Sequence, residues 1–132
     1  MMSDEILTAL EFPVLPENAV IVFEKLGLRN ALAISRISLA LYLQAQNGTI
    51  VKARVASGSI GLSPMRETAL EDFLTGQSLD GNWIAEGMEL FSEQIAQRLA
   101  GRGTMPYKRI AVKGVFENAA RKAIKLFDKG AF

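Results

Sequence analysis

Few side chains in this sequence could carry chemistry, and the residue types it lacks narrow the field further. The chain has 132 residues with no His and no Cys. Lack of His removes the commonest general base and metal ligand. Lack of Cys removes thiolate nucleophiles, disulfides, zinc-thiolate sites and iron-sulfur clusters held by this chain. Hydrolysis by a His-containing triad is excluded. Carboxylates remain. Glu67 and Glu71 stand one helical turn apart, as do Glu86 and Glu89. Such pairs hold a hard cation only when more oxygens converge on it, so both are expected to be solvated helix faces. Gly58 and Gly61 lie between a strand-like run and Ser63-Pro64. Backbone N–H groups in that position can cradle a phosphate, but the spacing fits neither the dinucleotide fingerprint nor the P-loop. The glycines are read instead as allowing a bulge or a close backbone approach. Trp83, the single tryptophan, is read as a core anchor at a helix start rather than a docking residue.

The elements that must position these residues fall into two halves. Residues 5–12 alternate imperfectly, with Ile6, Leu10 and Phe12 on one side of a predicted strand. Pro13 and Pro16 end it, because proline donates nothing to a ladder. A second strand is predicted at 19–25, with Ile21 and Phe23 facing one side and Val20, Val22 and Glu24 the other. Next comes a hairpin: Ile37, Leu39, Leu41 and Leu43 alternate with polar or small residues, Asn47-Gly48 follows, and Val51, Ala53 and Val55 alternate again. A two-residue loop would set Leu43 opposite Lys52. A three-residue loop, Gln46-Asn47-Gly48, sets Leu43 opposite Val51 and Leu41 opposite Ala53, and is the register expected from the apolar pattern. From residue 63 the period becomes helical. Ser63-Pro64 reads as a cap and first turn, with Met65, Ala69 and Phe73 on one stripe, Leu70 and Leu74 beside it, and Gly76 as the stop. A longer helix is predicted from about Asp80 to Gly101, with Ile84, Met88, Phe91, Ile95 and Leu99 on one face. A third follows Thr104, with Val112, Val115, Phe116, Ala119, Ala123 and Leu126 on its apolar side. Strands first and helices after predict an α+β domain, an antiparallel sheet of three to four strands followed by three helices packed on one face.

Composition sets the outer limits. The length suits one domain spanning 1–132, with residues 128–132 expected to form a flexible tail. A net charge of +1 gives no electrostatic case for nucleic acid or an anionic membrane. No apolar run approaches the roughly 18 residues that span a bilayer, and the start Met-Met-Ser-Asp-Glu lacks the apolar core of an export signal. A cytoplasmic protein is therefore expected.

Three segments carry a family resemblance. The first reads Ala53-Arg54-Val55-Ala56, then Gly58, Pro64, Arg66, Glu71, Leu74 and Gly76. The second is Phe23-Glu24-Lys25-Leu26-Gly27-Leu28-Arg29, followed by Ala33-Ile34 and Ala40. The third joins Gly101-Arg102-Gly103 to Tyr107-Lys108-Arg109. In this order, from about residue 4 to about 126, the chain resembles the C-terminal domain of the FAD-binding subunit of molybdenum hydroxylases, the family of xanthine and CO dehydrogenases. The resemblance implies the same sheet-and-helix fold. It also implies a non-catalytic structural domain that packs on a separate FAD-binding domain, beside partner subunits holding molybdopterin or iron-sulfur clusters, in a complex that passes electrons. Two family positions near the flavin fall on this chain. One is an apolar residue of the first strand, matched by Leu7. The other is a Lys just after the aromatic residue of the second strand; here Glu24 follows Phe23, and the Lys is one residue further on, at Lys25.

The glycine-rich loops that hold the dinucleotide lie in the preceding domain of the family and are absent here. The isolated chain is therefore expected to bind no cofactor, with FAD present only in a complex with the missing domain. The alternative is a small stand-alone flavin-dependent oxidoreductase. A domain made to be covered has apolar surface to hide, so a homodimer is also expected, through the sheet side that includes the Leu7 and Lys25 strands.

Overall fold

The computed structural model describes residues 4–28 and 34–130. Its sheet has four strands, β1 (Ala19–Gly27), β2 (Ser35–Gln46), β3 (Thr49–Gly58) and the short β4 (Met65–Arg66), in the order β1-β2-β3-β4 and antiparallel throughout. Three helices follow: α1 (Thr68–Leu74), α2 (Ile84–Arg98) and α3 (Met105–Asp128). The expected α+β architecture is present, with the helices on one face of the sheet.

Period-2 patterning decides which face is covered. Val20 and Val22 of β1, Ile37, Leu39, Leu41 and Leu43 of β2, and Ala53 and Val55 of β3 point to the helices and are buried. They meet Leu70 and Leu74 of α1, Ile84, Phe91 and Ile95 of α2, and Val112, Phe116 and Ala119 of α3 in one core. Phe116 lies at its centre, edge-on to both Trp83 and Phe91, with ring centroids 6.3 Å apart in each case. Gly87 makes that packing possible. A Cβ there would lie 2.6 Å from a Phe116 ring carbon. Trp83 is buried at the start of α2 and donates its indole N–H to the Ser78 carbonyl at 2.7 Å, as a core anchor should.

Several expectations need correction. Residues 5–16 form no strand, and Ile6, Leu7, Leu10 and Phe12 are exposed. Their alternation is a strand pattern without a neighbouring strand to pair with, and a lone strand has nowhere to place its ladder bonds. The hairpin closes through a two-residue loop, not three: Gln46 pairs with Thr49, and Asn47 and Gly48 both have positive φ, 52° and 75°. A bulge then restores the apolar match. Ala45 pairs with Ile50 and Gln44 with Lys52, so Val51 is the extra residue and faces out. Leu43 therefore lies opposite Ala53, and Leu41 opposite Val55.

The helix expected at Ser63-Pro64 starts five residues later. Met65 and Arg66 instead pair with Ser57 and Ala56 as β4, and the Glu67 N–H donates to the Val55 carbonyl at 2.8 Å. The buried side of α1 is accordingly Leu70, Glu71 and Leu74, not the Met65–Ala69 stripe. At the other end Gly76 donates to the Ile50 carbonyl, so the chain returns to the start of β3. α2 begins at Ile84 because Asp80 is used in a turn, accepting from the Asn82 N–H at 3.0 Å. Asp128, placed in the expected tail, is the last residue of α3, and 131–132 lie outside the described residues.

Candidate functional site: an uncovered sheet face and its charged edge

Among the described residues, no helix or strand covers the sheet face opposite the helices. By alternation it receives Ile21, Phe23 and Lys25 from β1, Arg36, Ala40, Tyr42 and Gln44 from β2, and Lys52, Arg54 and Ala56 from β3. Ile21 and Phe23 are 54% and 62% exposed, a high value for large apolar side chains in the middle of a strand. The chain before β1 rises over this face. Phe12, Val14 and Leu15 stand opposite Ile21, Tyr42 and Lys52 around a groove of about 810 Å³.

Of the two sequence-derived positions, Lys25 falls on this side by alternation. Leu7 is 63% exposed in the segment preceding β1. Lys25 shares the outward side of β1 with Ile21 and Phe23, while Glu24 turns to the helices and pairs with Lys122 of α3. The shift of the Lys by one residue from the family pattern thus leaves the cation beside Phe23 on the open face. Arg29 lies outside the described residues.

Where β3 and β4 meet α1, the sheet ends in two ion-pair networks that sequence reasoning assigned to solvent. Glu67 is 1% exposed and Glu71 4%. Arg98 of α2 grips Glu67 with two hydrogen bonds, at 2.8 and 2.7 Å, and the Ser57 hydroxyl donates to the same carboxylate. Glu71 accepts from the Val55 N–H at 2.9 Å and from the Arg66 guanidinium, with Arg54 at 3.6 Å. The Arg66 hydrogen bonds hold the Glu71 carboxyl below the usual glutamate range, against the effect of burial, and the Val55 N–H adds to them. Arg98 is raised by its hydrogen bonds to Glu67. A hint was present in the sequence: Glu71 follows Arg66 by five residues and Arg54 precedes both, inside the family-like segment. Spacing along the chain, however, could not bring Arg98 to Glu67. Glu86 and Glu89 are exposed, and Glu89 pairs with Lys113.

These arrangements can dock, clamp and attract, but they set up no proton relay. The arginine–carboxylate pairs are closed on themselves and fasten α1 and α2 to the sheet edge. Gly58 fits the expectation of close approach: a Cβ there would lie 2.5 Å from the Ser38 hydroxyl of β2. Among the described residues no group of three or more Asp, Glu, His or Cys side chains could hold a metal ion, and no helix is long and apolar enough to cross a membrane.

Fold and site together define a two-layer α+β domain with one face packed by helices and the other carrying no helix or strand layer among the described residues. The chain belongs to the family of the CO dehydrogenase flavoprotein C-terminal domain, which it matches over residues 23–123. Solved structures agree on the fold. The Cu,Mo-CO dehydrogenase in its cyanide-inactivated form is similar with a TM-score of 0.71 and 22% identity, over 86% of this chain and 39% of that one. Quinoline 2-oxidoreductase from Pseudomonas putida 86 gives 0.68 and 24%, over 80% and 36%. The CO dehydrogenase of Hydrogenophaga pseudoflava that lacks the Mo-pyranopterin moiety gives 0.71 and 19%, over 84% and 38%. This chain therefore spans about two fifths of the length of these relatives. No curated protein sequence matches it.

Proposed function

We propose that this chain is a non-catalytic structural and interaction domain of a xanthine or CO dehydrogenase-like flavoprotein. Its open sheet face packs on a separate FAD-binding domain, within an electron-transfer complex that includes molybdopterin and iron-sulfur subunits. The observation that carries this reading is the face itself, with Ile21, Phe23 and Tyr42 ringed by Lys25, Arg36, Lys52 and Arg54 and no helix or strand over it among the described residues. A soluble domain gains by burying such surface. In that complex Leu7 and Lys25 are the residues of this chain next to the flavin. An apolar side chain and a cation suit one rim of a flat, electron-accepting ring system, whereas the pyrophosphate needs the backbone N–H cradle of the companion domain. FAD then supplies the electron transfer, and this chain's share is to exclude water from one rim and hold a positive charge beside it. A cytoplasmic location goes with this reading.

Flavin content tests it. The purified chain is expected to be colourless. With a companion FAD-binding domain it should co-elute on gel filtration in a yellow complex, and Phe23→Asp should abolish the co-elution. A yellow chain holding stoichiometric flavin by itself would overturn this reading in favour of a stand-alone flavin-dependent oxidoreductase.

A further inference from the structure

We propose that the segment Glu5–Phe12 of one copy adds as a fifth strand to the free edge of β1 in a second copy, reciprocally, giving a two-fold dimer. This rests on the edge of β1 in addition to the open face. β1 is the first strand of the sheet order, so one of its two edges has no strand beside it among the described residues. Alongside β1 runs a groove of about 330 Å³ between the strand and α3, walled by Ile21, Val22, Lys122, Lys125, Leu126 and Lys129. On one side of the β1 edge are the apolar residues Ile21 and Phe23, and on the other a row of lysines.

The segment 5–12 has the matching two sides. Ile6, Leu10 and Phe12 share one parity with Thr8, while Glu5, Leu7, Ala9 and Glu11 share the other, with its charges at the two ends. Paired to β1, the apolar parity continues the Ile21–Phe23 stripe, and the carboxylate ends of the other parity come to the side of Lys125 and Lys129, Lys122 being paired with Glu24. No Lys or Arg occurs before residue 25, so the segment brings only negative charge to that row. Its length also fits, since eight extended residues cover roughly 26 Å, close to the span of the nine-residue β1. Ile6 and Phe12 are each 86% exposed, so the strand pattern is unused within its own chain.

Direction favours a second copy over a hairpin within one chain. Residues 12–16 stand over Tyr42, Lys52 and Arg54, leading away from their own β1 edge and towards β3. Pro13 and Pro16 stiffen that course. Simple face-to-face pairing of two open faces is opposed by charge, because each presents Arg36, Lys52 and Arg54 to the same residues of the other. Exchange of the segment brings opposite charges together, and main-chain hydrogen bonds supply the affinity as in other strand additions.

Sedimentation of the full chain at micromolar concentration tests the proposal. A species of twice the 14.4 kDa chain mass is expected. Thr8→Pro, which removes a ladder donor from an exposed segment, should weaken association at least tenfold and leave the melting temperature of the monomer unchanged. Lys125→Glu should also weaken it, and adding Glu11→Lys should restore it. A monodisperse monomer at 100 times the working concentration of about 1 µM, a typical weak-dimer limit, would overturn the proposal. So would a dimer indifferent to Thr8→Pro. The Lys125→Glu and Glu11→Lys pair leaves the open-face residue Phe23 untouched, so the dimer can fail while docking of the FAD-binding domain stands, and the reverse.

Discussion

Replacing Arg98 by Met should be among the most damaging single changes available outside the apolar core. The Arg98 side chain is 23% exposed and the Glu67 side chain 1%, and the two share hydrogen bonds at 2.8 and 2.7 Å. Met retains most of the Arg stem's packing but leaves Glu67 a buried carboxylate with only the Ser57 hydroxyl as its side-chain donor. Removing one partner of a buried pair costs about 3 to 5 kcal/mol. That is a large share of the roughly 5 to 15 kcal/mol holding a domain of this kind together. For a chain of this length the loss corresponds to a fall in melting temperature of roughly 10 to 20 °C. Urea unfolding at neutral pH, followed by tryptophan fluorescence of Trp83, measures it directly. The double change Glu67→Met with Arg98→Met removes the orphaned charge as well, and should recover at least half of the loss. A cost below about 1 kcal/mol for Arg98→Met, or a double variant no better than the single one, would refute the account of Glu67 as a buried charge needing its partner.

Packing and turn geometry lead to three more expected outcomes. Gly87→Ala should destabilise by about 1 to 3 kcal/mol despite the better helix propensity of Ala, because its Cβ would meet Phe116 at 2.6 Å; equal or higher stability in urea would contradict the packing described. Gly48→Val should cost on the order of 1 to 2 kcal/mol from backbone strain alone, since φ is 75° and nothing lies within 4 Å of the new Cβ; an unchanged unfolding midpoint would count against the turn. Glu71 has a folded-state value below its unfolded one, so its contribution is complete above the unfolded value and is lost as pH falls through the folded one. Glu71→Gln should therefore flatten the decline of melting temperature on acidification below the ordinary glutamate range, and a decline as steep as that of the native chain would disprove the assignment.

Alternation in 37–43 and 53–55 and the helical stripes of α2 and α3 were legible in the sequence because each pattern records burial on one side of a single element. The family, the α+β class and the anchor role of Trp83 followed from residues near one another along the chain. The segment 5–12 shows the limit of such patterns: its alternation is real, but a strand exists only where another strand accepts its hydrogen bonds, and none does so among the described residues. The bulge at Val51 was equally invisible. A two-residue turn and an apolar register conflict by one position, and only the assembled sheet shows that β3 absorbs the difference.

Sequence alone determined what this chain cannot do: with no His and no Cys it supplies no imidazole base, thiolate or iron-sulfur ligand, and those are properties of residue type that folding cannot add. Only the tertiary structure decided the fate of its carboxylates. Glu67 and Glu71 have the spacing of a solvated pair, yet the fold brings Arg98 from 31 residues away to one and Arg66 to the other. Buried charge is tolerable only beside its partner, and which partner arrives is settled by how α1 and α2 pack on the sheet edge.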